Sequence, residues 1–127
     1  MKSPVRSDGA PAPIGPYSQG IVASGRFVFV AGQGAKDPVT GQLPADIEAQ
    51  TERCLENVKA IVETAGAKMA DVVKVNAYLS DIKDFAAFNG VYARYFSAPY
   101  PARTTVGAVL PGGGMLVEID VIVCLPS

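Results

Sequence analysis

Arg103 sits in PYPARTTVGAVL, residues 99–110, behind two prolines and at the head of an alternating strand pattern. Its guanidinium is always charged and presents a planar fork of donors that matches a carboxylate. Two carboxylates follow in MLVEIDVIV, Glu118 and Asp120. Either one could pair with Arg103 across adjacent strands as a plain ion pair. Alternatively, Glu118 could hold and orient a water or move a proton. Tyr17, in GPYSQG, could line a ligand or donate its hydroxyl, or it could simply pack a turn. Ser18, Gln33 and Asn89 complete the candidate side chains.

The absences are equally informative. The chain contains no histidine, which removes Ser-His-Asp and Cys-His nucleophile systems and histidine metal sites. No clustered carboxylates suggest a divalent metal, so neither a metal nor a cofactor is expected. Cys54 and Cys124 lack CxxC or metal spacing and read as two reduced thiols. GPYSQG is not the strand-turn-helix serine motif, and PGGG lacks the Lys-Ser/Thr of a phosphate loop.

Composition narrows the class. With 127 residues, 49% hydrophobic and 18% charged, the chain fits one compact domain, 1–127. Net charge is −1, and the 11 basic residues are scattered rather than in a run. Nucleic-acid binding normally needs a concentrated basic footprint, so no nucleic-acid partner is expected. No apolar run approaches the roughly 18 residues of a membrane span, and the N-terminus lacks the apolar centre of a signal peptide. The expectation is a cytoplasmic protein with no membrane partner.

The elements that must position these side chains follow from periodicity. Residues 1–16 hold four of the ten prolines and read as an N-terminal arm. Residues 17–23 and 26–32 read as two strands joined by a Gly25-Arg26 turn, a hairpin. Residues 33–46 read as a loop. A helix should run from an Asp46 N-cap to Gly66, with Ile47, Cys54, Leu55, Val58, Ile61, Val62 and Ala65 as one apolar stripe. Cys54 lies on that stripe as a core thiol. DVVKVNAYLS reads as a strand, and Asp81 should cap a second helix with Phe85, Phe88, Tyr92, Tyr95 and Phe96 as core aromatics. ARTTVGAVL and MLVEIDVIV read as a last strand pair around PGGG. The order is ββαβαββ, an α+β sandwich of one mixed sheet with two helices on one face. On the last strand Met115, Val117, Ile119, Val121 and Val123 point one way. Leu116, Glu118, Asp120, Ile122 and Cys124 point the other. The second face is part apolar, so it should be buried against another subunit, with polar chemistry near that boundary.

Seven blocks in order then resemble a known family. APIGPYSQG, VFVAGQ, QTERCLENVKAIVETAG, DVVKVNAYLSDIKDF, FNGVYARYF, PARTTV and LPGGGMLVEIDVIV are similar to the Rid family, also called the YjgF type. The resemblance runs from Ala10 to Val123. Its best-known members are enamine/imine deaminases. It implies a chorismate-mutase-like fold assembled as a homotrimer, with the ligand in a cleft between subunits. Arg103 would bind the substrate carboxylate, Glu118 would hold the attacking water, and Tyr17 would line the cleft. Backbone groups near Gly32, with Asn89 and Thr105, would join the substrate-binding set. Many active members carry serine in place of Ala31 and cysteine in place of Thr105. The implied reaction is that of a 2-iminobutanoate/2-iminopropanoate deaminase. It converts small 2-imino or 2-enamine acids, such as 2-aminoacrylate and 2-iminobutyrate, to 2-oxo acids and ammonia, without a cofactor. Two other readings stand beside it: a non-catalytic trimer that senses small carboxylates or docks on a protein, and a pathway-specific deaminase of the aminomuconate type.

Overall fold

Asp46 starts the longest helix as its chemistry predicts: its carboxylate accepts a hydrogen bond from the Ala49 N–H at 2.7 Å. Helix α1 (Ile47–Thr64) ends where Gly66 takes φ +90°, a left-handed conformation that favours glycine. Its stripe of Cys54, Leu55, Val58 and Val62 is fully buried, and burial pushes the Cys54 thiol up to about 12. The computed structural model describes residues 2–127. Its strands are β1 (Lys2–Val5), β2 (Gly20–Ala23), β3 (Phe27–Gln33), β4 (Val72–Leu79), β5 (Ala102–Gly107) and β6 (Val117–Cys124). Asp81 accepts from the Lys83 N–H and so caps a short 3-10 turn, Ile82–Asp84, that leads into helix α2 (Phe85–Tyr92).

The α+β class and the two helices stand, but the strand pairing differs from the expectation in three places. Four strands form one mixed sheet in the order β3-β6-β4-β5. First, β2 and β3 are not a hairpin: β2 pairs with β1 in a separate two-stranded ribbon. The N-terminal residues expected as an arm therefore begin with a strand, and the element order is βββαβαββ. Second, β5 and β6 do not pair. The segment between β4 and β5 is long enough to carry α2 across the sheet, so β5 lies parallel to β4. Third, β6 returns to the middle of the sheet, antiparallel to both β3 and β4. The ribbon is tied to the sheet edge by an isolated parallel bridge between Ser18 and Ala102.

The core lies between α1, α2 and one face of the sheet. Val117, Ile119, Val121 and Val123 of β6 are buried there with Val72, Val75, Ala77 and Leu79 of β4. The other face carries Glu118, Asp120 and Ile122, with Phe29 74% exposed and Val106 42% exposed. The split by parity is the one the β6 sequence predicts.

One buried polar side chain fixes the approach to β6. Gln50 of α1 is 1% exposed. Its Nε2 donates to the carbonyls of Pro44 and Gly114 at 2.8 and 2.7 Å, and its Oε1 accepts from the Leu116 N–H at 2.8 Å. The helix start, the 34–46 loop and the glycine loop before β6 are thus joined by one amide. Gln50→Ala should lower the unfolding free energy by about 2–4 kcal/mol, because it orphans two carbonyls and one N–H in a dry site. Urea denaturation measures this, and a loss below about 0.5 kcal/mol would contradict the clamp.

Candidate functional site

The pleat decides where each charge goes. In the parallel register, Arg103 of β5 lies beside Val75 of β4, and Val75 lies beside Val121 of β6. All three side chains are on the helix-covered face. Thr105, two residues on, shares it. Glu118 lies beside Tyr78, and Tyr78 beside Val106, on the open face. Arg103 and Glu118 therefore stand on opposite faces of the sheet with β4 between their strands. The expected pairing across adjacent strands, with Glu118 or with Asp120, is not formed. Asp120 instead accepts a hydrogen bond from the Asn76 amide at 2.9 Å.

Around Arg103 the site is aromatic. Its Cζ lies 4.6 Å from the ring centroid of Tyr92, 5.5 Å from Phe88, 5.6 Å from Phe85 and 5.8 Å from Tyr17. Phe85, Phe88 and Tyr92 come from α2, whose 3–4 spacing turns one stripe toward β5. Tyr17 arrives on the 14–17 loop, turned by a Tyr17 N–H to Gly15 carbonyl bond of 2.8 Å. A Cβ on Gly15 would meet the Tyr17 ring at 3.7 Å and Arg103 NH2 at 3.8 Å, so the loop packs directly over the guanidinium. Burial lowers the Arg103 pKa, and the groups that oppose this are Tyr92 and Tyr17. No carboxylate is among them. Each ring contributes about 0.5–2 kcal/mol of cation–π attraction, against a desolvation penalty of several kcal/mol for an unpaired ion.

Four buried polar atoms here have no hydrogen-bond partner: Arg103 NH1, Asn89 Oδ1, Thr105 Oγ1 and the Tyr92 hydroxyl. They belong to the β5 face and the α2 stripe that meet at the cage. Buried polar groups are normally paired, so these four atoms mark a candidate site for a polar molecule. It offers a cationic donor, an amide acceptor and two hydroxyls.

The second group of candidates lies on β3 and the start of β6. A Cβ on Gly32 would overlap Glu118 Oε2, so the bulge in β3 between Val30 and Gln33 brings bare backbone against that carboxylate. Gln33 turns its amide to the Ala31 carbonyl at 3.3 Å, while its own carbonyl accepts from the Cys54 thiol at 3.0 Å. Ser18 donates to the Tyr100 carbonyl and so holds the chain behind Pro101.

The predicted residues thus form two groups. Arg103 and Tyr17 meet in the first, with Thr105 two residues along the same face of β5 and Asn89 on α2, while Gly32 and Glu118 form the second. By residue type and spacing alone, Phe85, Phe88 and Tyr92 read as core aromatics. They are also the walls of the Arg103 cage. The signal was present in the 85–88–92 spacing once α2 is taken as the crossover between parallel β4 and β5.

Comparison with known proteins adds an independent line. Residues 7–125 match the family model described as Endoribonuclease L-PSP. The chain is 49% identical over 123 residues to a RutC family protein of Pyrococcus horikoshii, covering 96% of this chain and 97% of that one. It is 41% identical over 125 residues to the 2-iminobutanoate/2-iminopropanoate deaminase of Escherichia coli, covering 96% and 97%. Among solved structures it resembles Escherichia coli TdcF with bound serine, with a TM-score of 0.76, 38% identity and coverage of 98% and 99%.

Replacing the caged cation tests whether it serves the fold. Arg103→Met should leave the unfolding free energy within about 1 kcal/mol of wild type, since the lost cation–π contacts are offset by relief of the unpaired charge. Chemical denaturation gives the number. A loss above about 2 kcal/mol would make the guanidinium a structural strut.

Proposed function

The chain belongs to the endoribonuclease L-PSP family, the Rid or YjgF type, and on that footing we propose that it is a hydrolytic deaminase of small 2-imino and 2-enamine acids. The observation that carries this reading is the Arg103 guanidinium, half-buried among four rings, with no carboxylate of its own and a buried NH1 that has no partner. Such a cation is complete only when an anion arrives. A small carboxylate fits its fork bidentately. The family's descriptive name is that of a nuclease. Arg103 is enclosed by rings rather than set on an exposed basic stripe of the kind a phosphodiester backbone requires.

The chemistry asks little more of the protein. In a 2-imino acid C2 is already electrophilic, so neither a protein nucleophile nor a cofactor is needed. Arg103 anchors the carboxylate. Glu118 holds a water, accepts its proton as the oxygen bonds to C2, and returns a proton to the nitrogen. The proton of the new hydroxyl then passes through the same carboxylate to the nitrogen as the C2–N bond breaks, leaving the 2-oxo acid and ammonia. Positioning and electrostatic stabilisation supply the acceleration. Asn89 and Thr105 offer an amide acceptor and a hydroxyl to the same ligand, and Tyr17 closes the side. An enamine such as 2-aminoacrylate enters as its imine tautomer.

Arg103 and Glu118 cannot serve one substrate within one chain, because they stand on opposite faces of the sheet. The reading therefore includes a homotrimer in which the Arg103 group of one copy faces the Glu118 and Gly32 group of its neighbour. The half-apolar outer face, with Phe29 and Val106 exposed, is the surface that would bury itself in that assembly. A relative of known structure binds serine, a small amino carboxylate, which agrees in size and charge.

The test is a trapping assay. An amino-acid oxidase generates 2-iminobutyrate in the presence of semicarbazide, and the semicarbazone is followed by absorbance. Wild-type protein should suppress it, and Arg103→Ala should restore it while remaining folded. If wild type leaves the trapped product unchanged while 2-oxobutyrate still binds, the protein is a carboxylate-binding module and the deaminase assignment falls.

A further inference from the structure

Tyr92 is the one polar member of the cage that no part of the proposed chemistry uses. It is fully buried, its ring is the nearest of the four to the Arg103 Cζ at 4.6 Å, and it is fixed on both sides by aromatic neighbours. Phe88, one helical turn earlier, lies 5.5 Å away centroid to centroid, and Phe96 lies 4.5 Å away. In purely apolar packing a phenylalanine would fill this volume without a hydroxyl that needs a partner. The hydroxyl of Tyr92 does carry that burden: it lies beside the guanidinium yet makes no well-directed hydrogen bond. Arg103 NH1 is in the same condition. Burial holds the phenol above its ordinary pKa, so it meets the guanidinium as a neutral oxygen.

A neutral hydroxyl can accept from a guanidinium without neutralising it, whereas a carboxylate in the same place would cancel the charge a ligand needs. From this we infer that Tyr92 is a positioning residue for the carboxylate anchor: its ring supports the face of the Arg103 guanidinium and its hydroxyl takes one N–H, so that the remaining donors are held in the plane that meets a substrate carboxylate. The contact between hydroxyl and guanidinium is already present without a ligand and limits the motion of the guanidinium; a ligand that draws the guanidinium into line tightens it into a directed bond. This rests on the reading of Arg103 as the anchor.

Two measurements separate the inference from that reading. The first needs no ligand. The Nε–Hε signal of Arg103 in a 15N-arginine NMR spectrum, assigned with Arg103→Lys, should be sharp in wild type. In Tyr92→Phe it should be broadened by exchange, although Tyr92→Phe melts no lower than wild type. The second is calorimetric binding of 2-oxobutyrate to wild type, Tyr92→Phe, Arg103→Ala and the double variant. Tyr92→Phe should weaken binding about five- to tenfold, the scale of one typical net hydrogen bond. In the Arg103→Ala background it should change nothing further. An unchanged Nε–Hε signal in Tyr92→Phe, or an equal loss of affinity in both backgrounds, overturns the inference. If the signal broadens while wild type fails to bind 2-oxobutyrate, Tyr92 still positions Arg103 and it is the deaminase reading that fails.

Discussion

A β-strand offers its neighbours two faces and no third choice, and the rest of this molecule is arranged around how Arg103 and Glu118 divide between them. Arg103 is in register with Val75 and Val121 and so points beneath the helices. Glu118 is in register with Tyr78 and points outward. Had the two shared a face, the obvious outcome would be a salt bridge across β4, and neither charge would be available to a ligand. Separation keeps the cation unpaired. It also obliges the fold to enclose that cation in something other than a carboxylate, which is why α2 presents Phe85, Phe88 and Tyr92 and why the 14–17 loop lays Tyr17 across it. Aromatic faces attract a cation without cancelling it.

The second group is built by removal of bulk. Gly32 has no Cβ, and the space a Cβ would occupy is taken by Glu118 Oε2. The carboxylate therefore lies against backbone at a bulge in β3, where the ladder is interrupted. Gln50 reaches the same region from the helix side and, through the Leu116 N–H two residues before Glu118, sets where β6 begins. The amide clamp and the bare glycine together fix the position of one carboxylate. The fold spends a buried glutamine and an interrupted strand on it.

Local chemistry was legible in the sequence. The Asp46 cap, the Gly66 stop, the buried Cys54 and the two faces of β6 all follow from residue type and period. Which strand lies beside which was not legible. Periodicity assigns a side chain to a face but does not name its neighbour across the ladder. The glycine run at 112–114 looked like a hairpin turn because it separates two alternating segments. Its strands instead sit on either side of β4. The same gap hid the second role of Phe88 and Tyr92: an apolar stripe reads as core until the strand beneath it is known to carry an arginine. Lys2–Val5 was hidden by the proline content of residues 1–16, since a strand that pairs along only one edge tolerates Pro4.

On the proposed reading the working site is made from two copies, with Arg103 from one and Glu118 from the next. The most direct test mixes two inactive chains. Arg103→Ala and Glu118→Ala proteins are each assayed for 2-iminobutyrate hydrolysis, then unfolded together, refolded as a mixture and assayed again. In a randomly mixed trimer about one interface in four joins an intact Arg103 to an intact Glu118, so activity should return to about a quarter of wild type. Refolding each variant alone should return none. If the mixture stays inactive while the mixed assembly forms, the two residues do not meet across an interface and the shared-site account is wrong.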